Sequence, residues 1–167
     1  MKSRLPLGKA PVRKTLDQKT AQQLIPEADD EFSRYIRLRD CKYTGTEWVG
    51  KCISCSRTGT VAWIDEKDKL RFIKGWDAGH FVSRGVFKLR WDEENVNLQC
   101  NYHCNKMLSG NIEKQKPEID MKYGTGTWKR LQEEAQAEDS HKRPTKQELL
   151  EMIQDYKALV KYTFENR

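Results

Sequence analysis

The sequence predicts an α+β fold in which a small β-rich centre is stapled by zinc and flanked by helices. Three observations carry that prediction. Two cysteine pairs, Cys52-Ile-Ser-Cys55 and Cys100-Asn-Tyr-His-Cys104, bracket a Gly79-His80 dipeptide. Short β-prone runs fill the interval between the pairs. Helical spacing and capping signals appear before the first pair and after the second.

Composition explains why a staple is needed. The chain has 167 residues, of which 34% are charged, and its mean hydropathy is −0.91. That reads as one domain with appendages and little apolar material. A central unit of roughly 60 residues seldom stands on such a core alone. Zinc would supply the missing stability, because its binding free energy becomes folding free energy. No apolar run follows Met1-Lys-Ser-Arg-Leu-Pro6, and no stretch reaches the ~20 apolar residues that a membrane span requires. A cytoplasmic protein is therefore expected. In a reducing compartment paired cysteines read as metal ligands rather than disulfides. Cys41, the fifth cysteine, is left as a plain thiol.

The elements follow in order. Residues 1–24 carry Lys2, Arg4, Lys9, Arg13, Lys14 and Lys19 against the single acid Asp17. This stretch reads as a flexible basic arm for nucleic acid, or simply as a solubilising tail. Pro26 suits a first helical position, and Glu27, Asp29, Asp30 and Glu31 suit a first turn, which predicts a helix from about residue 27 to 40. Val61–Ile64 and Leu70–Ile73 predict a hairpin inserted between the two cysteine pairs. A strand over Trp76–Val82 should carry His80, and a second strand is expected over Val86–Trp91, where apolar and basic residues alternate. Asp92-Glu-Glu-Asn95 is a turn. Cys104–Ser109 reads as a short helix ended by Gly110.

The core thus spans residues 25–112, and a helical region occupies 113–167. Within that region helices are expected over Pro117–Tyr123 and Trp128–Ala137. The last begins after Pro144 with the capping box Thr145-Lys-Gln-Glu148. Its stripe of Leu149, Ile153, Tyr156 and Val160 is an intramolecular packing face, with a homodimer interface as the alternative.

Cys52, Cys55, Cys100 and Cys104 are the expected zinc ligands. Three residues rather than two separate the second pair, so a set using Cys100 and His103, with Cys104 spare, remains open. Four protein ligands leave no free coordination position, so this Zn²⁺ would be structural.

Phosphodiester hydrolysis requires a base to activate water and a cation on the scissile phosphate. His80 is the candidate base. Asp77, three residues earlier, should point to the opposite strand face and reach a metal; otherwise it is a strand-edge surface acid. Asn105 could complete the metal site through its side-chain oxygen. Two protein oxygens with several waters suit Mg²⁺ or Mn²⁺. Arg84, Lys88, Arg90 and Lys106 are candidate DNA contacts through phosphate, or solvated surface charges.

Three segments carry a resemblance: Trp76-Asp-Ala-Gly-His80-Phe, Leu89-Arg-Trp-Asp-Glu-Glu-Asn95-Val, and Gln99-Cys100 through Cys104-Asn105 to Ser109-Gly-Asn111. Over residues 32–111 the chain resembles the NinG/Rap recombination endonucleases of lambdoid phages, which belong with the HNH (ββα-metal, treble-clef) nucleases. The resemblance implies a metal-dependent DNA endonuclease acting on branched intermediates such as Holliday junctions and D-loops, in the host cytoplasm if phage-encoded. It also implies roles: His80 as general base, Asn95 as the brace of the loop between strand and helix, and Asn105 at the last metal-ligand position. The usual first ligand lies directly before the base, where this chain has Gly79; that role passes to Asp77, which has the strand parity of position 79.

Two other functions fit parts of the pattern. A zinc module that binds nucleic acid without cutting it needs the cysteines and basic residues, but not His80 with Asn105. A general HNH nicking enzyme keeps the chemistry and loses branch selectivity.

Overall fold

The computed structural model describes residues 14–167 of the chain. Its architecture is mixed, with four α-helices and two antiparallel sheets among the described residues. Helix α1, Ala21–Arg39, begins earlier than the charge pattern suggests. Thr20 forms a capping box with Gln23 and outcompetes Pro26 as the start signal. Pro26 lies inside the helix, where it forfeits a backbone hydrogen bond. Burial of its neighbours Leu24, Ile25 and Ala28 offsets that loss.

Strands β1 (Cys41–Tyr43), β2 (Glu47–Lys51), β3 (Thr58–Ile64) and β4 (Leu70–Phe72) form one antiparallel sheet in sequence order. The expected hairpin is β3–β4. Rather than standing as an insertion, it extends a sheet begun by β1 and β2. The second sheet is a two-stranded ribbon of β5 (Trp76–His80) and β6 (Val96–Cys100), with Trp76 opposite Cys100 and His80 opposite Val96. Every residue of β6 is buried, including Asn97 and Gln99.

Those buried amides are tied by hydrogen bonds, with Gln99 Oε1 alone of their side-chain polar atoms lacking a partner among the described residues. Asn97 Oδ1 accepts from Tyr123 Oη at 2.8 Å and Lys122 Nζ at 2.8 Å. The Gln99 amide nitrogen reaches Ser54 Oγ at 2.6 Å and the Gly110 carbonyl. Asp40 accepts the Leu98 amide at 2.8 Å. Although burial alone would raise its pKa, Arg39 and Lys122 hold its carboxyl below the usual range.

The segment expected as a strand over Val86–Trp91 is not one. It forms a 3₁₀ turn at Phe87–Leu89, in which the Val86 and Phe87 carbonyls accept the Leu89 and Arg90 amides and side chains take the Leu89 and Arg90 carbonyls. Asn95 Nδ2 donates to Leu89 O at 2.8 Å, and the His80 ring bonds Arg90 O at 2.9 Å. Val86 and Leu89 instead pack with Phe81 against Ile119 of α2 (Ile112–Tyr123) and Leu131 of α3 (Thr127–Ala135).

Helical turns after β6 start at Asn101, earlier than expected, and run to Met107 in π-type geometry. Gly110 ends this segment at φ +89°, a left-handed conformation that glycine tolerates best. Helix α2 likewise begins before Pro117, with Pro117 inside it. Helix α4, Lys146–Glu165, starts with the expected Thr145–Glu148 box. Its Leu149 and Ile153 pack within the chain against Leu24, Phe32 and Ile36 of α1, so this stripe serves the chain's own core. Among the described residues no helix is long and apolar enough to cross a membrane. The basic arm expected over residues 1–24 lies partly outside the described residues, and its last four residues, 21–24, belong to α1.

Candidate functional site

Two polar centres lie along the β5–β6 ribbon. At the Cys100 end, four sulfurs converge: the Sγ atoms of Cys52, Cys55, Cys100 and Cys104 all lie within 4.8 Å of one another. Cys52 and Cys55 come from the turn after β2, Cys100 ends β6, and Cys104 sits in the π-type segment. Backbone amides cradle the sulfurs, with Cys100 N to Cys52 Sγ and Cys104 N to Cys100 Sγ both at 3.4 Å. Cys55 Sγ lies 3.8 Å from Cys100 Sγ. A zinc tetrahedron with bonds near 2.3 Å has edges of about 3.8 Å, so the group fits Zn²⁺. His103 is exposed and outside the cluster, whereas Cys104 is buried; this resolves the fourth ligand in favour of Cys104. Burial pushes the Cys52 and Cys104 thiols up, a penalty that metal coordination to the thiolates reverses. Cys41 stands apart, its thiol donating to Arg37 O at 2.8 Å.

The second centre is a cavity of about 180 Å³ lined by Asp29, Phe32, Ser33, Asp77, Ala78, His80, Arg84 and Asn105. Strand parity predicts opposite faces for Asp77 and His80, yet both line this one space. Asp77 Oδ2 accepts from Asn101 Nδ2 at 2.6 Å and Asn105 Nδ2 at 2.7 Å, which draws the carboxylate toward the π-type segment. Position 79 points elsewhere. A Cβ on Gly79 would lie 2.3 Å from Gln99 Oε1, so the buried amide fills the space that a side chain would need.

His80 is half-buried, and its Nε2 sits 2.9 Å from the Arg90 carbonyl. A carbonyl can only accept, so Nε2 carries the proton and the lone pair is on Nδ1. Burial, helped by the positive charges of Arg84 and Arg90, lowers the imidazole pKa to about 4 despite the Arg90 carbonyl. The ring is therefore neutral at pH 7.

Asn95 is fully buried below this loop. Its Nδ2 donates to Val82 O at 3.0 Å and Leu89 O at 2.8 Å, while Oδ1 accepts from Val82 N at 2.7 Å. Its backbone carbonyl accepts the Phe81 amide at 2.9 Å. One side chain thus ties both ends of the β5–β6 connection.

The four basic residues singled out in the sequence have different placements. Arg84 is exposed and lines the cavity. Lys106 is exposed on the π-type segment. Lys88 is exposed and lies 3.4 Å from Asp139. The Arg90 guanidinium is held by Asp29, with Nε–Oδ1 at 2.9 Å and Nη2–Oδ2 at 2.6 Å.

Sequence reasoning missed what α1 contributes. Asp29, Ser33 and Arg37 recur at helical i, i+4, i+8 spacing and share a face. The first two line the cavity, and Arg37 Nη1 donates to Trp76 O at 3.2 Å. That polar stripe was legible as spacing, but the acids read more simply as a helix first turn.

A family model described as Bacteriophage Lambda NinG protein matches residues 8–165. No curated protein and no solved structure matches the chain. With the match spanning nearly the whole sequence, the chain belongs to the bacteriophage lambda NinG family.

Proposed function

We propose that this NinG-family protein is a metal-dependent DNA endonuclease of the HNH type that hydrolyses phosphodiesters in branched recombination intermediates. The observation that carries the reading is the convergence of Asp77, His80 and Asn105 on one cavity. The order of elements supports it: an antiparallel ribbon followed by a helical segment, with the candidate base on the first strand and a metal-site residue on the helix. That order supports the ββα reading proposed for such nucleases. The four-cysteine group beside it supports a structural Zn²⁺.

The donor set suits a second, harder ion. With its amide nitrogen on Asp77, Asn105 keeps its oxygen available, and Asp77 retains its second carboxylate oxygen. One carboxylate and one amide oxygen leave most of a coordination sphere to water, which fits Mg²⁺ or Mn²⁺. Held there, the ion would supply positive charge for the scissile phosphate and its leaving oxygen.

The chain's own groups do the rest. His80 Nδ1, without a hydrogen-bond partner among the described residues, accepts a proton from the attacking water. The Arg90 carbonyl fixes the tautomer that leaves this nitrogen free, and Asn95 keeps the intervening loop in place. Because the imidazole pKa is near 4, the base is in its active form at neutral pH. Arg84 at the cavity and exposed Lys106 on the π-type segment would neutralise flanking phosphates.

The test compares a Holliday junction, a D-loop, a flap and a linear duplex, each incubated with the zinc-loaded protein and Mg²⁺ or Mn²⁺. Preferential cutting of the branched substrates is expected. Equal nicking of all four would leave an HNH nuclease without branch selectivity. Binding without nicking would favour a zinc-stapled nucleic-acid-binding module instead.

A further inference from the structure

The geometry points to Asp29 and Arg90 as a positioning pair that locks the His80 imidazole into its reactive orientation from helix α1. The inference rests on His80 being the base proposed above, and it assigns a role to two residues that do no chemistry themselves. Asp29 grips the Arg90 guanidinium with both carboxylate oxygens, at 2.9 and 2.6 Å. Arg90 Nη1 also donates to the Arg84 carbonyl at 2.8 Å. The same guanidinium lies over the Phe87 and Trp91 rings at 5.5 and 5.4 Å. Side chain and backbone of residue 90 are thus tied on several sides, and the carbonyl of that residue receives the His80 Nε2 proton at 2.9 Å.

A loop carbonyl is ordinarily a poor reference point for a catalytic ring, because loops move more than the elements they join. Here the loop is tied to α1, which is packed along its length by Leu149 and Ile153 of α4. A bidentate carboxylate–guanidinium pair fixes orientation as well as distance. Both partners are largely shielded, with side-chain exposures of 15% for Arg90 and 24% for Asp29, so solvent competes weakly for the contact. Asp29 also borders the cavity, but both of its oxygens already face Arg90. That arrangement favours positioning over metal ligation.

The test uses the full-length, zinc-loaded protein labelled with ¹⁵N-histidine. The wild type is expected to show His80 as the Nε2–H tautomer with a slowly exchanging ring proton. In Asp29→Asn that proton should exchange faster and the tautomer become mixed. Cleavage turnover should fall about 10- to 100-fold while KM and metal affinity stay unchanged. If Asp29→Asn does not fold, Arg90→Lys keeps the charge and the carbonyl but loses the bidentate grip, and the same changes are expected in weaker form. An unaltered His80 signal in either folded variant overturns the inference. So does loss of Mg²⁺ affinity with an unaltered His80 signal, which would make Asp29 a ligand. Absence of nuclease activity in the wild type would sink the proposed function alone, because the tautomer measurement needs no substrate.

Discussion

The two polar centres beside the β5–β6 ribbon differ in kind. At the first, four sulfurs close on each other, leaving no room in a zinc coordination sphere for water or substrate. At the second, Asp77, His80 and Asn105 line an open polar cavity that runs along the ribbon, with few protein donors and space for solvent. The first is suited to hold the fold; the second leaves polar groups open to solvent, as the proposed chemistry requires. The contrast sets a stabilising centre beside the proposed chemical one on a strand pair only five residues long, and variants at the two centres should fail in different ways.

The largest effect belongs to the sulfur centre. Cys52→Ser should unfold the centre, since structural zinc contributes about 10–16 kcal/mol in small zinc domains at neutral pH. Circular dichroism and zinc stoichiometry would read this directly. A folded, zinc-free variant of normal stability would erase the distinction.

Asn95 lies between the two regimes. Asn95→Ala removes two donors and one acceptor from a fully buried site, leaving both Val82 backbone groups unpaired and Leu89 O with only the Asp92 amide at 3.3 Å. A loss of about 2–4 kcal/mol in denaturant unfolding is expected, with zinc retained. Unchanged stability would mean that the loop is held by its backbone alone.

The smallest effect is a pH dependence at the cavity. The folded pKa of His80 is near 4, below the unfolded value. The unfolded chain therefore binds the proton first, and stability declines as pH falls from about 6.5 toward 4, by about 2 kcal/mol at pH 5. Above that window the residue contributes no slope. Unfolding curves at pH 7 and pH 5 for wild type and His80→Gln should differ by this slope, which the variant lacks.

What could be read in advance divides along the same line. The cysteine set was legible because zinc ligands announce themselves through short local spacing, and only the three-residue gap left His103 in contention. The Thr145–Glu148 capping box and the Asp92–Asn95 turn were legible for the same local reason. Alternation over Val86–Trp91 misled because it reports burial, not partners. Leu89 and Val86 are indeed buried, but no strand among the described residues pairs with them, and Asn95 and His80 take the Leu89 and Arg90 carbonyls. Pro26 misled because the competing Thr20–Gln23 box lay six residues upstream. The contribution of Asp29 and Ser33 to the cavity was the least accessible, since it depends on how α1 crosses the ribbon, and long-range packing leaves only a faint trace in helical spacing.

The most direct test is single-turnover cleavage of a Holliday junction in Mg²⁺ by wild type and His80→Ala, with zinc content and junction affinity measured on the same samples. The expected result is a rate loss of about 10²- to 10⁴-fold with fold, zinc and affinity retained. A variant that cuts as fast as the wild type would remove His80 from the chemistry and contradict the account.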